Sequence, residues 1–190
     1  MTEAPSSTRD RLIEAAARLF YDEGIRAVSV DAVAEKAGVT KRTLYYHFRS
    51  KDDLIAAYLE GQDRSNLALF QRWFTETEGD VAYKVAGVFR QLGHSARHPR
   101  WKGCGFLRTS VELVTMPGHP AMVAARKHKT RVEDWLRDVL EDTDDAADLA
   151  RQVILLLDGA FAVVLLHRDA SYMETAGTAA ATLVRNRLAK

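Results

Sequence analysis

The chain has 190 residues, of which 47% are hydrophobic, and 27 Lys and Arg face 26 Asp and Glu for a formal net charge of +1. That balance excludes long-range disorder and a generalised polyanion binder, so any attraction to nucleic acid has to come from a local basic patch. One cysteine, Cys104, excludes an intramolecular disulfide framework and fits a reducing compartment.

The chain opens on MTEAPSSTRD, which has no apolar stretch and reads as a short polar arm without a secretion signal. A helix is expected over residues 9–23, with Ile13, Ala16, Ala17 and Phe20 on its inner face and Gly24 as its stop. Residues 29–51, SVDAVAEKAGVTKRTLYYHFRSK, then write two short helices joined by a tight turn. Ser29 caps the first, whose apolar positions Val30, Val33, Ala34 and Ala37 share one face, with Val28 and Val33 as a hydrophobic staple. Gly38 ends it, because glycine accepts the left-handed conformation of a helix terminus, and Thr40 caps the second helix with Val39 and Leu44 as its staple. Two helices meeting at a sharp angle in this way form a helix-turn-helix.

The second helix carries the chemistry of a DNA reader. Thr40, Lys41, Arg42 and Thr43 put donors at its N-terminal end, where recognition helices make most of their base contacts. Leu44 and Phe48 lie one turn apart and anchor it inward, leaving Tyr45, Tyr46 and His47 for bases or backbone. Over residues 38–51 every charge is basic: Lys41, Arg42, Arg49 and Lys51. A one-sign patch is what phosphate neutralisation requires, whereas the competing reading makes these ordinary solvated charges with two packing tyrosines.

Over residues 11–54 the chain resembles the N-terminal domain of the TetR/AcrR family of bacterial transcriptional regulators. The resemblance is carried by Ala37-Gly38-Val39, Thr40, the run Thr43-Leu44-Tyr45-Tyr46-His47-Phe48, and Lys51. It implies that Lys41, Arg42, Thr43, Tyr45 and His47 face bases or nearby phosphates, and that Ser29, Thr40, Tyr46 and Lys51 position the backbone. Arg42 stands where many members of that family carry a small residue such as glycine, which suggests an added contact and leaves the operator sequence open.

Ser50, with Asp53 three residues later, caps a helix expected to run to residue 77 and to link the reader to everything downstream. Further helices are expected over residues 81–97, 105–114, 120–141, 144–167 and 172–189. Pro120 suits a first turn, Ser171 and Glu174 form a candidate capping box, and the acids Glu141, Asp142, Asp144, Asp145 and Asp148 decorate a helix start. Strand-like alternation is absent, so the expected fold is all-α with about nine helices. The expected domains are a three-helix helix-turn-helix domain over 8–54 and a helical effector-binding and dimerisation domain over 55–190.

The longest apolar run, residues 153–166, is interrupted by Asp158 and falls short of the about 20 residues a bilayer needs, which points to a soluble, cytoplasmic protein with no membrane partner. The same run is apolar nearly all round and requires cover on more than one side, and the final helix offers a stripe of Ala176, Ala179, Ala180, Leu183 and Val184. Burial inside one subunit is one explanation; the family resemblance implies a homodimer through the last two helices. A two-fold pair would set its recognition helices about 34 to 36 Å apart on a near-palindromic operator.

Between these parts lie Trp73, Phe74, Phe89, Trp101, Phe106, Met116 and Trp135. Phe106, Ser110 and Leu113, at i, i+4 and i+7, are candidate walls of an effector pocket, with Phe70, Phe89 and Phe161 opposite and Glu112 as a polar group for a small-molecule ligand. Plain core packing, and for Glu112 a surface salt bridge, are the competing readings. His94, His98, Cys104, His119 and His128 lack the tight paired spacing of a metal site, and no nucleophile, phosphate-cradling or metalloprotease motif appears. The expectation is a ligand-responsive repressor with no metal, cofactor or catalytic residues; the alternatives are an activator or effector-independent regulator, and an all-helical enzyme or interaction protein with a vestigial reader.

Overall fold

The computed structural model describes residues 7–188, whose helices are α1 (Thr8–Glu23), α2 (Val30–Lys36), α3 (Lys41–His47), α4 (Lys51–Glu76), α5 (Val81–Ala96), α6 (Gly105–Glu112), α7 (Pro120–Val139), α8 (Ala146–His167) and α9 (Ser171–Leu188). The described residues contain no strand, and the all-α class follows. The first six residues of the expected polar arm, and Ala189 at the end of the last expected helix, lie outside the described residues.

By contact the chain forms two units. One holds the residues up to Asp63 together with Gly105–Arg126, and the other holds Arg64–Cys104 and the residues from Lys127 onward. This division differs from a linear cut after residue 54, because α6 packs with the helix-turn-helix although it comes far later in sequence. Two bonds account for that placement: Arg108 Nη1 donates to the Tyr21 carbonyl at 2.8 Å, and Glu112 Oε2 accepts from the Arg26 amide at 3.1 Å.

In the first unit, α1 starts on a reciprocal capping box, with the Asp10 amide donating to Ser7 Oγ and the Ser7 amide to Asp10 Oδ2. Its buried face is Leu12, Ala15, Ala16 and Phe20; Ile13 and Ala17, expected inside, are only half-buried. The apolar arc of α1 is wide enough to be read one residue out of phase, and packing against α2 and α3 settles the roll. Val28, Val33, Ala34, Leu44 and Phe48 complete this small core with Leu54, Ile55 and Leu59 of α4. Gly38, at φ +68°, makes the left-handed turn out of α2, and the Val39 amide donates to the Ala34 carbonyl at 2.9 Å.

In the second unit α9 packs along both α5 and α8. The closest approach is at Gly177, where a Cβ would lie 2.6 Å from Phe89 Cβ, so only glycine permits this helix spacing. α8 buries Leu149, Val153, Leu157, Phe161 and Val164 but leaves Leu155, Gly159, Ala162 and Leu166 on an exposed stripe. Cover on more than one side, expected from the all-round apolar sequence, is therefore not supplied by the described residues.

The sequence places α8 too low on the membrane scale: at 22 residues it is long and apolar enough, by length and composition alone, to cross a bilayer. Its packing on α9 and the pairing of Asp158 with Lys129 on α7 are those of a core helix. The expected Ser171–Glu174 capping box is also absent. Ser171 donates its own amide to Asp169 Oδ1 at 2.9 Å, while Glu174 Oε1 takes Arg97 Nη2 at 2.5 Å.

Candidate nucleic-acid interface

Hydroxyl caps set the directions of α2 and α3. Ser29 Oγ accepts from the Ala32 amide and Thr40 Oγ1 from the Thr43 amide, both at 3.1 Å, satisfying amides that a short helix leaves without carbonyl partners. Thr40 and Thr43 also share a hydroxyl hydrogen bond of 2.9 Å. Ser29, Thr40 and Thr43 thus spend part of their hydrogen-bonding capacity holding the helices whose N-terminal ends they mark.

Leu44 is fully buried and Phe48 nearly so, which fixes the outward face of α3. On that face Lys41 and Arg42 are exposed, Tyr45 is 46% and Tyr46 85% exposed, and Thr43 and His47 are half-buried. The Tyr46 and His47 rings meet edge to face at 5.2 Å. An aromatic side chain left this open on a seven-residue helix has surface to offer a partner. Arg42 forms no ion pair among the described residues, so its planar fork of donors is available for bidentate contact.

Two of the expected DNA contacts are already engaged. Lys41 Nζ lies 2.9 Å from Asp31 Oδ2, and this bond, followed by the carboxylate's charge, raises the ammonium above its ordinary pKa. Asp31 lies outside the all-basic stretch of residues 38–51, and its position in the first turn of α2 is the sequence signal for it. Lys51 is half-buried, with Nζ 3.4 Å from the Arg26 carbonyl, and burial pushes its ammonium down. Lys51 thus buttresses the loop after α1. Nearby, Arg9 sits over the Phe48 ring at 5.2 Å and Arg49 pairs with Asp53 at 3.0 Å.

The residues singled out as effector walls fall in both units. In the first, Phe106 and Leu113 are buried, Ser110 Oγ returns a bond to the Phe106 carbonyl at 2.9 Å, and the Glu112 carboxylate is taken by the Arg26 amide. Glu112 is therefore an intramolecular acceptor and not an exposed salt bridge. In the second, Phe70 and Phe89 line an apolar cavity of about 10 Å³ together with Val132, Trp135 and Leu157. Phe161 lies outside that lining and stacks on Trp101 at 6.1 Å. Sequence spacing did not reveal a more open cleft of about 460 Å³ in the same unit, whose walls include Arg97, His98, Trp101, Arg168 and Asp169.

Among the described residues no three His, Cys, Asp or Glu side chains group to hold a metal ion. His119 is occupied structurally: its Nδ1 accepts from the Ala121 amide and its Nε2 lies 3.1 Å from Asp52 Oδ1.

A family model described as bacterial regulatory proteins, tetR family, matches residues 12–58, which span α1 to the start of α4. A transcriptional repressor of Mycolicibacterium smegmatis, KstR2, is 40% identical over 130 residues, covering 68% of this chain and 54% of the relative. The chain thus spans about half the length of that curated relative. Solved structures match further. A TetR-family transcriptional regulator from Streptomyces coelicolor is 32% identical with a TM-score of 0.83, covering 95% of this chain and 96% of the other. A putative regulator of the same kind from Streptomyces avermitilis is 31% identical with a TM-score of 0.78, covering 92% and 98%.

Proposed function

The chain belongs to the TetR family of bacterial transcriptional regulators, and from that membership and the geometry of α3 we infer that it is a homodimeric repressor, released from a near-palindromic operator by a small-molecule effector. The observation that carries the reading is the outward face of α3, where Arg42, Tyr45 and Tyr46 stand exposed while Leu44 and Phe48 lock the helix from behind. A recognition helix needs that division between anchored and free faces.

The exposed apolar stripe on α8 supports a second copy as its cover, since Leu155 and Leu166 gain by leaving water and Gly159 and Ala162 let helices approach closely. For the effector, the apolar cavity at Phe70 and Phe89 offers a nucleus, and side chains have to move for a ligand to fit there. α4 runs without a break from residues of the first unit into those of the second, and it is the helix proposed to carry a displacement to the reader. A ligand shifts such an equilibrium only by its differential affinity, typically about 1–3 kcal/mol of coupling. The proposed role is cytoplasmic and regulatory, with no catalytic step.

The test is a gel shift with the DNA upstream of the protein's own gene against scrambled duplex at several salt concentrations. A specific regulator binds the upstream fragment at about 10⁻⁸ M or tighter and scrambled DNA at roughly 10⁻⁴–10⁻⁶ M. Equal affinity for upstream regions and scrambled duplex would refute the reading. Adding a candidate effector without change in affinity excludes induction by that compound.

A further inference from the structure

We propose that Asp31 is a specificity-determining residue that acts through Lys41: by pairing with that ammonium it withdraws Lys41 from charge-driven contact with phosphates and aims it at base edges. The proposal rests on the DNA-binding reading above. The two residues stand ten positions apart, Asp31 in the first turn of α2 and Lys41 at the first position of α3, so their 2.9 Å contact bridges the two helices across the turn.

A stabilising role explains this pair poorly. The side chains are 63% and 51% exposed, and ion pairs that open to water contribute little to folding. The amide that most needs an acceptor at the start of α2 already has Ser29 Oγ. Against a polyanion, moreover, a carboxylate paired to a lysine of the reading helix costs affinity, since it cancels the charge of a cation that would otherwise release counterions.

That cost has a return in discrimination. Lysine carries a flexible four-carbon stem and three donors, and unrestrained it settles on whichever phosphate is near. Bonded to Asp31, its ammonium is held at one place and keeps two donors, enough for the O6 and N7 acceptors of a guanine in the major groove. Arg42, the next residue, remains the unpaired cation of α3 among the described residues. The helix therefore presents one restrained and one free positive group side by side.

The experiment compares the wild-type protein, Asp31→Asn, Lys41→Gln and the double variant, each titrated with the upstream fragment and with scrambled duplex from 50 to 200 mM salt. Asparagine preserves shape and the Ser29 cap, and thermal melts verify that each variant folds. In Asp31→Asn the freed Lys41 should gain about one phosphate contact, steepening the log–log salt slope on scrambled DNA by about 0.9, or roughly 3.5-fold more loss over that salt range. The preference for the upstream fragment should fall by roughly fivefold or more, the lower end of what one good base contact provides. In the Lys41→Gln background, Asp31→Asn should change neither quantity. An unchanged slope and preference in the single variant would overturn the proposal, and so would an effect that persists without Lys41, which would set the carboxylate directly against DNA. If the wild-type protein itself fails to distinguish the two duplexes, the DNA-binding reading falls first and takes the proposal with it.

Discussion

Replacing Gly177 by alanine should loosen the packing of α9 on α5. A Cβ at this position would stand 2.6 Å from Phe89 Cβ, 3.2 Å from Phe89 Cγ and 3.5 Å from the Ala86 carbonyl oxygen. Carbon atoms rest about 3.5–4.0 Å apart, so the two helices would have to separate by about 1 Å. Phe89 offers little relief, because it is 2% exposed and its Cβ moves only with the backbone of α5. Overpacking of this kind costs about 1–3 kcal/mol. A clash this close with a Cβ that cannot turn aside belongs at the upper end of that range, and alanine recovers up to about 1 kcal/mol as the better helix former, leaving a net loss of about 2 kcal/mol. For a chain of this size that corresponds to a melting point lower by roughly 4–8 °C. Thermal denaturation of wild-type and variant protein at one fixed concentration reads it directly, the concentration being fixed because association shifts apparent stability. A Gly177→Ala protein as stable as the wild type would refute the described spacing of α5 and α9.

Gly159→Ala makes the opposite prediction on the exposed stripe of α8, where an added Cβ meets nothing within 4 Å. The lone chain should gain up to about 1 kcal/mol, but the methyl group should raise the dimer dissociation constant in sedimentation equilibrium; unchanged association would place the dimer surface elsewhere. Glu112→Ala removes the acceptor of the Arg26 amide and should cost about 1 kcal/mol in urea denaturation. Gly24→Ala should cost more, because Gly24 has φ +90° and its Cβ would lie 3.0 Å from Glu112 Oε1; stability unaffected by either change would contradict the docking of α6 on the end of α1. Asp169 accepts from the Ser171 amide, which holds its carboxyl below the usual aspartate range. Its contribution is thus present above that range and lost as pH falls through the lowered value, so the melting points of wild type and Asp169→Ala should differ near neutrality and converge in acid. A difference that widens in acid would reverse the assigned sign.

What the sequence made legible is what is decided within a few residues. Ser29, Gly38 and Thr40 act on amides and carbonyls three to five positions away, so the helix-turn-helix could be written down from local chemistry. The docking of Arg108 and Glu112 on the end of α1 crosses more than 80 residues and leaves no local trace. The roll of α1 is not fixed by its own residues, because several overlapping apolar stripes compete in its sequence and only packing selects the face with Leu12, Ala15, Ala16 and Phe20. Helical spacing sets Phe106 and Leu113 on one face as candidate pocket walls, and both are buried, yet spacing names a face and not its neighbour. Ser171 illustrates the remaining difficulty: the residue two positions earlier, Asp169, took the capping role, while Arg97 drew Glu174 away.

The central claim is that two copies of α3 read one DNA site, and hydroxyl-radical footprinting of the upstream fragment, with the protein-to-DNA ratio measured on the same complex, tests it most directly. Two protected tracts centred about 10–10.5 base pairs apart, with two chains per site and a changed sequence preference in Arg42→Ala, are the expected result. A single chain bound without a defined protected tract would contradict it.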